Sequence, residues 1–331
     1  MTKQQVIIDC DPGIDDALAL IYALKHPNLE VVAITIVCGN VPSQLGFENC
    51  ALILELVNRL DIPIYIGAKT PLKRPFISAQ DTHGMDGLGE TFLKRSCDKR
   101  PETTKADDYL ADYFKQKQDT AILALGPLTN IALALEKNKN LGENCSRFIS
   151  MGGNFKSNGN CSPVAEYNYW CDPHAANFVF KHLKRCVEMV GLDVTRKIVL
   201  SPNHLEYLKK FPSELTAFIE KITRFYFDFH WKYEHLLGCV INDPLALAYL
   251  IDPNICHGFT SYTDIVTDGI ALGQSIVDAQ HFYQKDSNSK ILTEVDSLRF
   301  WQDFLTTILD QPKEVISQDI LQLNLGGFYE N

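Results

Sequence analysis

Four aspartates fall within eight residues behind the first apolar run of the chain, in VIIDCDPGIDDALAL: Asp9, Asp11, Asp15 and Asp16. Two carboxylates about 4 Å apart repel by roughly 4 kcal/mol at an effective dielectric near 20, so so dense a cluster needs a cation, shared protons or wide solvation. Asp9 and Asp11 stand two apart on a strand end, and their side chains leave on the same side. Pro12 and Gly13 turn the chain and put Asp15 and Asp16 at the start of a helix. There the free N–H groups and dipole favour each carboxylate by about 0.3 to 1 kcal/mol. That is less than the repulsions, so a hard divalent cation with oxygen ligands is the stronger explanation. The plainer alternative is a solvated helix cap plus one buried, hydrogen-bonded Asp.

Two other carboxylate chemistries are weaker. An EF-hand loop starting at Asp9 would need Gly at its sixth place and Glu at its twelfth, where Ile14 and Leu20 stand, and is excluded. An aspartyl phosphotransferase would use Asp9 and Asp11. It leaves Asp15 and Asp16 unexplained.

The elements that must position these residues are legible as short apolar runs alternating with helix-length segments. QVIIDC leads to a helix over about 15–25, and EVVAITIV to one over about 42–60; PIYIG, TAILAL, RFISM and CVEMVGL are further strands. The pattern predicts an α/β fold, a single domain over 1–331 with a mostly parallel central sheet and helices on both faces. Ligands of such sheets bind at the carboxyl ends of the strands. Those ends are polar here: Asp9 and Asp11, Asn40, GPLTN after TAILAL, and MGGN after RFISM. Two segments break the alternation. A Gly-, Pro- and Lys-rich stretch over about 69–105 centres on THGMDGLGE, with His83 among glycines suited to a mobile loop. A long helix over about 213–237 ends in the aromatic FYFDFHWKYEHLL, which carries His230 and His235.

Composition narrows the ligand. The formal charge of -10 argues against nucleic acid, whose affinity comes from Lys and Arg displacing counterions. A neutral or cationic small molecule fits better. An apolar fraction of 46% and a charged fraction of 22% are ordinary for a globular chain of 331 residues. No basic stretch with a long apolar run opens the sequence and no run is long enough to span a bilayer, which predicts no membrane association. Ten cysteines without a CxxC pair read as buried, reduced thiols and imply a reducing cytoplasm.

Taken whole, DCDPGIDDALAL resembles the opening signature of the inosine/uridine-preferring nucleoside hydrolase family. The resemblance continues through CGN at 38–40, ALGPLTNIA at 124–132, MGG at 151–153, VAEYNYWCDPHAA at 164–176, NDPLALAY at 242–249 and the closing LRFWQDFL. It implies a Rossmann-like nucleoside hydrolase fold, a Ca²⁺ cofactor, a small-molecule ribonucleoside substrate and a homodimer or homotetramer. Asp11, Asp16, Asp243 and the backbone carbonyl of Leu125 match the family's metal ligands, with Asp11 also matching the general base. Asp15, Asn40, Asn160, Glu166 and Asn168 match residues that bind the ribose hydroxyls, with Asp243 shared and Met151 also at the substrate; among the aromatics, Tyr167 and Tyr226 are the candidates to stack on the base. The implied reaction is hydrolysis of the N-glycosidic bond to free base and ribose, as in nucleoside salvage.

The chain departs from the family pattern at one place. Where many pyrimidine- or mixed-specificity members carry a His before the late metal Asp, this sequence has Asn242, which donates a hydrogen bond but is no acid at neutral pH. The departure favours a purine or modified base over a pyrimidine. His230, with Tyr226 and Glu234 one turn away on either side, and His83, matching the family's mobile-loop His, are the substitute donors. A Glu neighbour would favour protonated His230. A family-like nucleoside-binding protein with impaired catalysis is the alternative that Asn242 raises.

Overall fold

The computed structural model describes residues 3–327, and the first apolar run lies at the centre of its main sheet. The strands are β1 (Gln4–Cys10), β2 (Leu29–Ile36), β3 (Ile64–Ile66), β4 (Thr120–Ala124), β5 (Phe148–Met151), β6 (Val187–Val190), β7 (Val199–Leu200), β8 (Cys239–Val240), β9 (Cys256–Ser261), β10 (Thr263–Ile265), β11 (Ser275–Val277) and β12 (Ser289–Val295). Eight of them form one sheet in the order β3-β2-β1-β4-β5-β6-β12-β9. Every pairing is parallel except β12 with β9 at the edge. The strand order reverses between β1 and β4, which opens a crevice at their carboxyl ends.

Alternation along β1 explains why both faces are covered. Val6, Ile8 and Cys10 join an apolar layer with helices Ile14–Lys25, Asn242–Ile251 and Ser297–Leu309; Ile7 points into a second layer with helices Ala106–Tyr113, Thr129–Lys137 and Pro173–His182. A fully buried aliphatic side chain contributes roughly 1.5 to 3 kcal/mol. A strand buried on both faces must therefore be apolar throughout, which is why VII reads as a run rather than an alternation.

Several boundaries differ from the sequence expectation for local reasons. The first helix begins at Ile14, one residue early, with Gly13 as its cap. The second spans Ser43–Leu56 rather than reaching residue 60, because Asn58 takes a left-handed conformation (φ 56°) that an Asn tolerates. The long helix spans Glu214–Glu234; His235 (φ 55°) stops it, so His235 caps the helix instead of lying on it. Within 69–105 lies a short helix, Gln80–His83, that the loop reading did not anticipate. No strand was expected after CVEMVGL, yet β9 and β12 extend the sheet, and β10 with β11 forms a small antiparallel pair. The exposed, polar middle of β9, CHGFTS, lacks the apolar signal of a central strand. All ten cysteines are free. No described helix is long and apolar enough to cross a membrane.

The C-terminal part is fastened through one buried imidazole. His204 stacks on Trp301 at 3.9 Å, its Nε2–H donates to the Leu325 carbonyl (2.9 Å), and its Nδ1 accepts from Ser201 N–H (3.1 Å). Accepting from the Ser201 N–H requires the neutral ring. Burial pushes its pKa down to about 4, against the raising effect of the Leu325 carbonyl. The unfolded chain then binds a proton below its ordinary pKa of about 6.5 while the folded chain does not. Stability is full above about pH 6.5 and falls by about 3 kcal/mol as pH drops towards 4. We expect the urea midpoint to fall less between pH 7 and pH 4.5 in His204→Gln than in the parent chain; an equal fall would remove His204 from the acid response.

Candidate active site

Two helices point their N-termini at the crevice, and each brings acid with it. Helix Ile14–Lys25 carries Asp15 and Asp16 in its first turn, and helix Asn242–Ile251, packed against it, carries Asp243. Side-chain oxygens of Asp15, Asp16 and Asp243 lie within 4.8 Å of one another, all buried. Asp11 sits beside them at the exit of β1: its own N–H donates to Asp16 Oδ1 (3.2 Å), and its Oδ2 accepts from Asn40 N–H (2.6 Å). Its Oδ1 is buried with no partner among the described residues. Asn40 bridges the acids, since its Nδ2 also donates to Asp16 Oδ2 (2.9 Å), where Gly13 N–H donates too (3.0 Å).

Backbone closes on both oxygens of Asp11, although it bonds only Oδ2. A Cβ on Gly39 would lie 1.9 Å from Asp11 Oδ2, and one on Gly126 would lie 2.5 Å from Oδ1. Only glycine lets the chain approach this closely.

Among the described residues no Lys or Arg pairs with the acids of this floor. Burial, then the neighbouring Asp16, raises the Asp11 pKa. Burial followed by Asp15 pushes Asp16 up to about 6, and burial followed by Asp15, Asp16 and Asp11 raises Asp243. Hard oxygen donors, an orphaned buried carboxylate oxygen and a surplus of negative charge are what a divalent cation would satisfy. The Leu125 carbonyl lies at the same cavity and at present accepts from Asn168 Nδ2 (2.6 Å). The tight group of three includes Asp15, matched above to ribose, rather than Asp11.

Asp9 backs the floor from inside the sheet. Its Oδ1 accepts from Thr35 Oγ1 (2.6 Å) and Asn130 Nδ2 (2.7 Å), while burial pushes its pKa up to about 7 against those two bonds. Thr35 and Asn130 escaped the sequence reading as site residues, although Asn130 closes the GPLTN motif. Their partner lies 26 and 121 residues away.

The walls and mouth come from the segments that break the alternation. An inner cavity of about 90 Å³ shares part of its lining with an outer one of about 700 Å³; Asp15 and Asp243 line the inner cavity, whereas Asp11 and Asp16 are not among its lining residues. Asp15, Asn40, His83, Met151, Glu166, Asn168, Tyr226, His230, Asn242 and Asp243 all line the inner cavity, while Asn160 and Tyr167 line both chambers. Glu166 caps helix Tyr167–Cys171, accepting from the N–H groups of Gly153 (2.8 Å), Asn168 (2.7 Å) and Tyr169 (3.2 Å); burial nonetheless pushes it up to about 7. The Tyr167 hydroxyl lies between the carbonyls of Gly39 (2.8 Å) and Ile77 (2.9 Å), which ties two loops together.

The two histidines are both neutral, and differ in what they leave free. His83 Nδ1 accepts from Ile14 N–H (3.1 Å), so the proton sits on Nε2, which has no hydrogen bond among the described residues. His230 Nδ1 faces the Tyr226 carbonyl (2.9 Å) and Nε2 accepts from Val240 N–H (3.4 Å), so both nitrogens are engaged by backbone. The expected protonation of His230 is not found. Burial lowers its pKa and outweighs the raising effects of the Tyr226 carbonyl and Glu234. Asn242 donates from Nδ2 to Asp15 Oδ2 (3.0 Å). The Tyr226 ring packs against both histidines, at 5.2 Å from His83 and 4.5 Å from His230.

The profile of the family described as inosine-uridine preferring nucleoside hydrolase matches residues 6–302. The chain belongs to this family. It is 35% identical over 306 residues, 91% of this chain and 94% of the relative, to the pyrimidine-specific ribonucleoside hydrolase RihA of Shewanella baltica. The plant nucleoside hydrolase PpNRh1 superposes with a TM-score of 0.87 at 31% identity, covering 93% of this chain and 99% of that one. A purine-preferring ribonucleoside hydrolase from Gardnerella vaginalis gives 0.87 at 28%, covering 95% and 99%. As a nucleoside hydrolase, the protein is a glycosylase that hydrolyses N-glycosidic bonds.

The glycine grip on Asp11 yields a measurable expectation. A displacement of about 1 Å at a reacting group can cost about 100-fold in rate. Gly39→Ala should lower kcat/KM by at least about that factor while the far-ultraviolet dichroism stays that of the parent. Activity within a few-fold of the parent would mean that Asp11 tolerates the shift.

Proposed function

We propose that this nucleoside hydrolase is Ca²⁺-dependent and releases base and ribose from ribonucleosides in salvage. The observation carrying the reading is the buried acid floor, where Asp15, Asp16 and Asp243 converge within 4.8 Å beside the unpartnered Oδ1 of Asp11. Asp11, Asp16, Asp243 and the Leu125 carbonyl are the residues we assign to the ion. When bound, Ca²⁺ would supply coordination for a vicinal diol and a water of lowered pKa.

The remaining roles belong to side chains. Asp11 takes the proton from the attacking water, help of the order of 10²- to 10⁴-fold. Asp15, Asn40, Asn160, Glu166, Asn168 and Asp243 read the ribose hydroxyls, with Met151 at the wall. Positive charge develops at the anomeric carbon and ring oxygen in the transition state, and the acid floor stabilises it. At the other end the neutral His83 donates a hydrogen bond from its Nε2–H to the departing base, which takes its proton from solvent, and Tyr226 offers a face for stacking. His230 orients Tyr226. Asn242 holds Asp15, so in this reading its effect on catalysis runs through that carboxylate.

Base preference divides into two readings. A purine is favoured by Asn242, whose amide is tied to Asp15 and supplies no acid. A pyrimidine is favoured by relatives named pyrimidine-specific and by the free Nε2–H of His83. A cytoplasmic homodimer or homotetramer is part of the proposal, supported by the ten free thiols and the resemblance to the family. The alternative of an impaired binding protein rests on Asn242 alone. The Asp11 floor argues for turnover.

Two measurements test this. Ribose release should fall by at least about 100-fold in Asp11→Ala and should stop on chelation and return with added Ca²⁺; activity indifferent to both treatments would refute the metal and base assignments. A panel of inosine, guanosine, adenosine, uridine, cytidine and their 2′-deoxy forms should show hydrolysis of ribonucleosides only. Repeated with Asn242→His, it should gain on pyrimidines if that position sets the preference. Tight calorimetric binding without base release over hours would select the binding-protein alternative.

A further inference from the structure

The backbone that carries Asn160 to the mouth has no regular structure, yet it is held at almost every peptide. Asp193 accepts from the N–H groups of Phe155 (2.6 Å), Lys156 (2.8 Å) and Ser157 (3.1 Å). Three residues further along the same short turn, Arg196 takes the oxygens: Nη1 donates to Ser157 Oγ (2.7 Å) and the Asn158 carbonyl (2.9 Å), and Nη2 to the Gly159 carbonyl (3.1 Å). One acid and one base thus grip consecutive halves of one loop. The planar guanidinium fork suits this task, since a Lys ammonium could not reach three acceptors in one plane.

The grip ends where the substrate begins. Gly159 is wedged, with a Cβ there lying 2.2 Å from the Ser162 carbonyl oxygen and 2.4 Å from that of Ala165. Asn160 follows, exposed at the neck between the two chambers. Its Oδ1 accepts from Tyr167 N–H (2.9 Å), which orients the amide and leaves Nδ2 with no partner among the described residues. Across the neck, Arg196 Nη2 also lies 3.5 Å from Glu234 Oε1, at the last turn of the Glu214–Glu234 helix. Arg196 therefore links the Asn160 loop to the element that carries Tyr226 and His230.

A ribose with its vicinal diol on the acid floor has one hydroxyl left, on the C5′ carbon at the opposite end of the ring. The unpartnered donor at the neck, Asn160 Nδ2, is the group such a hydroxyl would meet. We propose that Arg196 is a positioning residue that fixes the Asn158–Gly159 peptides so that the Asn160 amide meets the 5′-hydroxyl of the ribose. The proposal rests on the hydrolase reading given above and on the ribose role assigned to Asn160. A guanidinium already committed to neutral oxygens and a carboxylate makes the site one for a free 5′-hydroxyl rather than a 5′-phosphate.

A site built to pair a hydroxyl discriminates against the analogue lacking it, and this separates positioning from general support of the fold. The test measures kcat/KM for the parent, R196M, R196K, N160A and R196M/N160A on the preferred ribonucleoside and on its 5′-deoxy counterpart. R196M should lose roughly 10- to 100-fold on the ribonucleoside and less than about threefold on the 5′-deoxy form, with R196K between. The double variant should be no worse than the poorer single one. Equal losses of R196M on both substrates, additive losses in the double variant, or no loss at all would overturn the proposal. A parent enzyme that releases base from no ribonucleoside would instead overturn the hydrolase reading itself, and the positioning role with it.

Discussion

Repulsion among carboxylates that burial has stripped of water is the constraint around which the crevice is built. Asp11, Asp15, Asp16 and Asp243 share one floor with no Lys or Arg among the residues lining the cavity except Arg196 at its mouth. The fold answers with dipoles. Two helix N-termini face the acids, Gly13 and Asp11 N–H groups bond Asp16, and Asn40 spans Asp11 and Asp16. Such contacts recover part of the desolvation cost and leave the pKa values raised. The residual imbalance is what makes the floor receptive to a cation and to positive charge developing in a transition state.

The same physics decides the histidines. Burial disfavours an imidazolium, and backbone partners at Ile14, Tyr226 and Val240 select the neutral tautomers of His83 and His230. A Glu one turn away was too little to reverse this for His230, partly because Glu234 also faces Arg196. What distinguishes the two rings is therefore geometry rather than charge: one presents a free N–H to the cavity and the other does not.

How much of this was legible in the sequence depended on the range of each interaction. Asp11, Asp15 and Asp16 lie within six residues on a strand end and a helix start, so local spacing exposed them, and the apolar runs exposed the central strands. Asn40, Glu166 and Asn168 came from the family resemblance, and the structure brings them to the same cavity. The tie of Asn130 to Asp9 spans 121 residues, and those of Asp193 and Arg196 to the Asn160 loop span about 38, in stretches without an unusual pattern. Nothing local in LDVTR marks it as a clamp. The state of His230 depended on solvent exclusion by the whole fold, which no neighbouring residue reveals. β9 was missed because an edge strand with one wet face carries little apolar periodicity, and β12, though paired on both sides, because Lys290, Thr293 and Glu294 break up its apolar run.

The reversal of strand order between β1 and β4 also has a consequence for how such a chain can change over time. The acids stand at the end of β1 and in the first turns of two helices packed into the core, so their backbone is fixed by the sheet. His83 and Tyr226 stand instead on an excursion between strands and on a helix outside the sheet. Inheritance can therefore rewrite the roof while the floor stays fixed, and one bond-breaking apparatus can be handed from base to base across lineages.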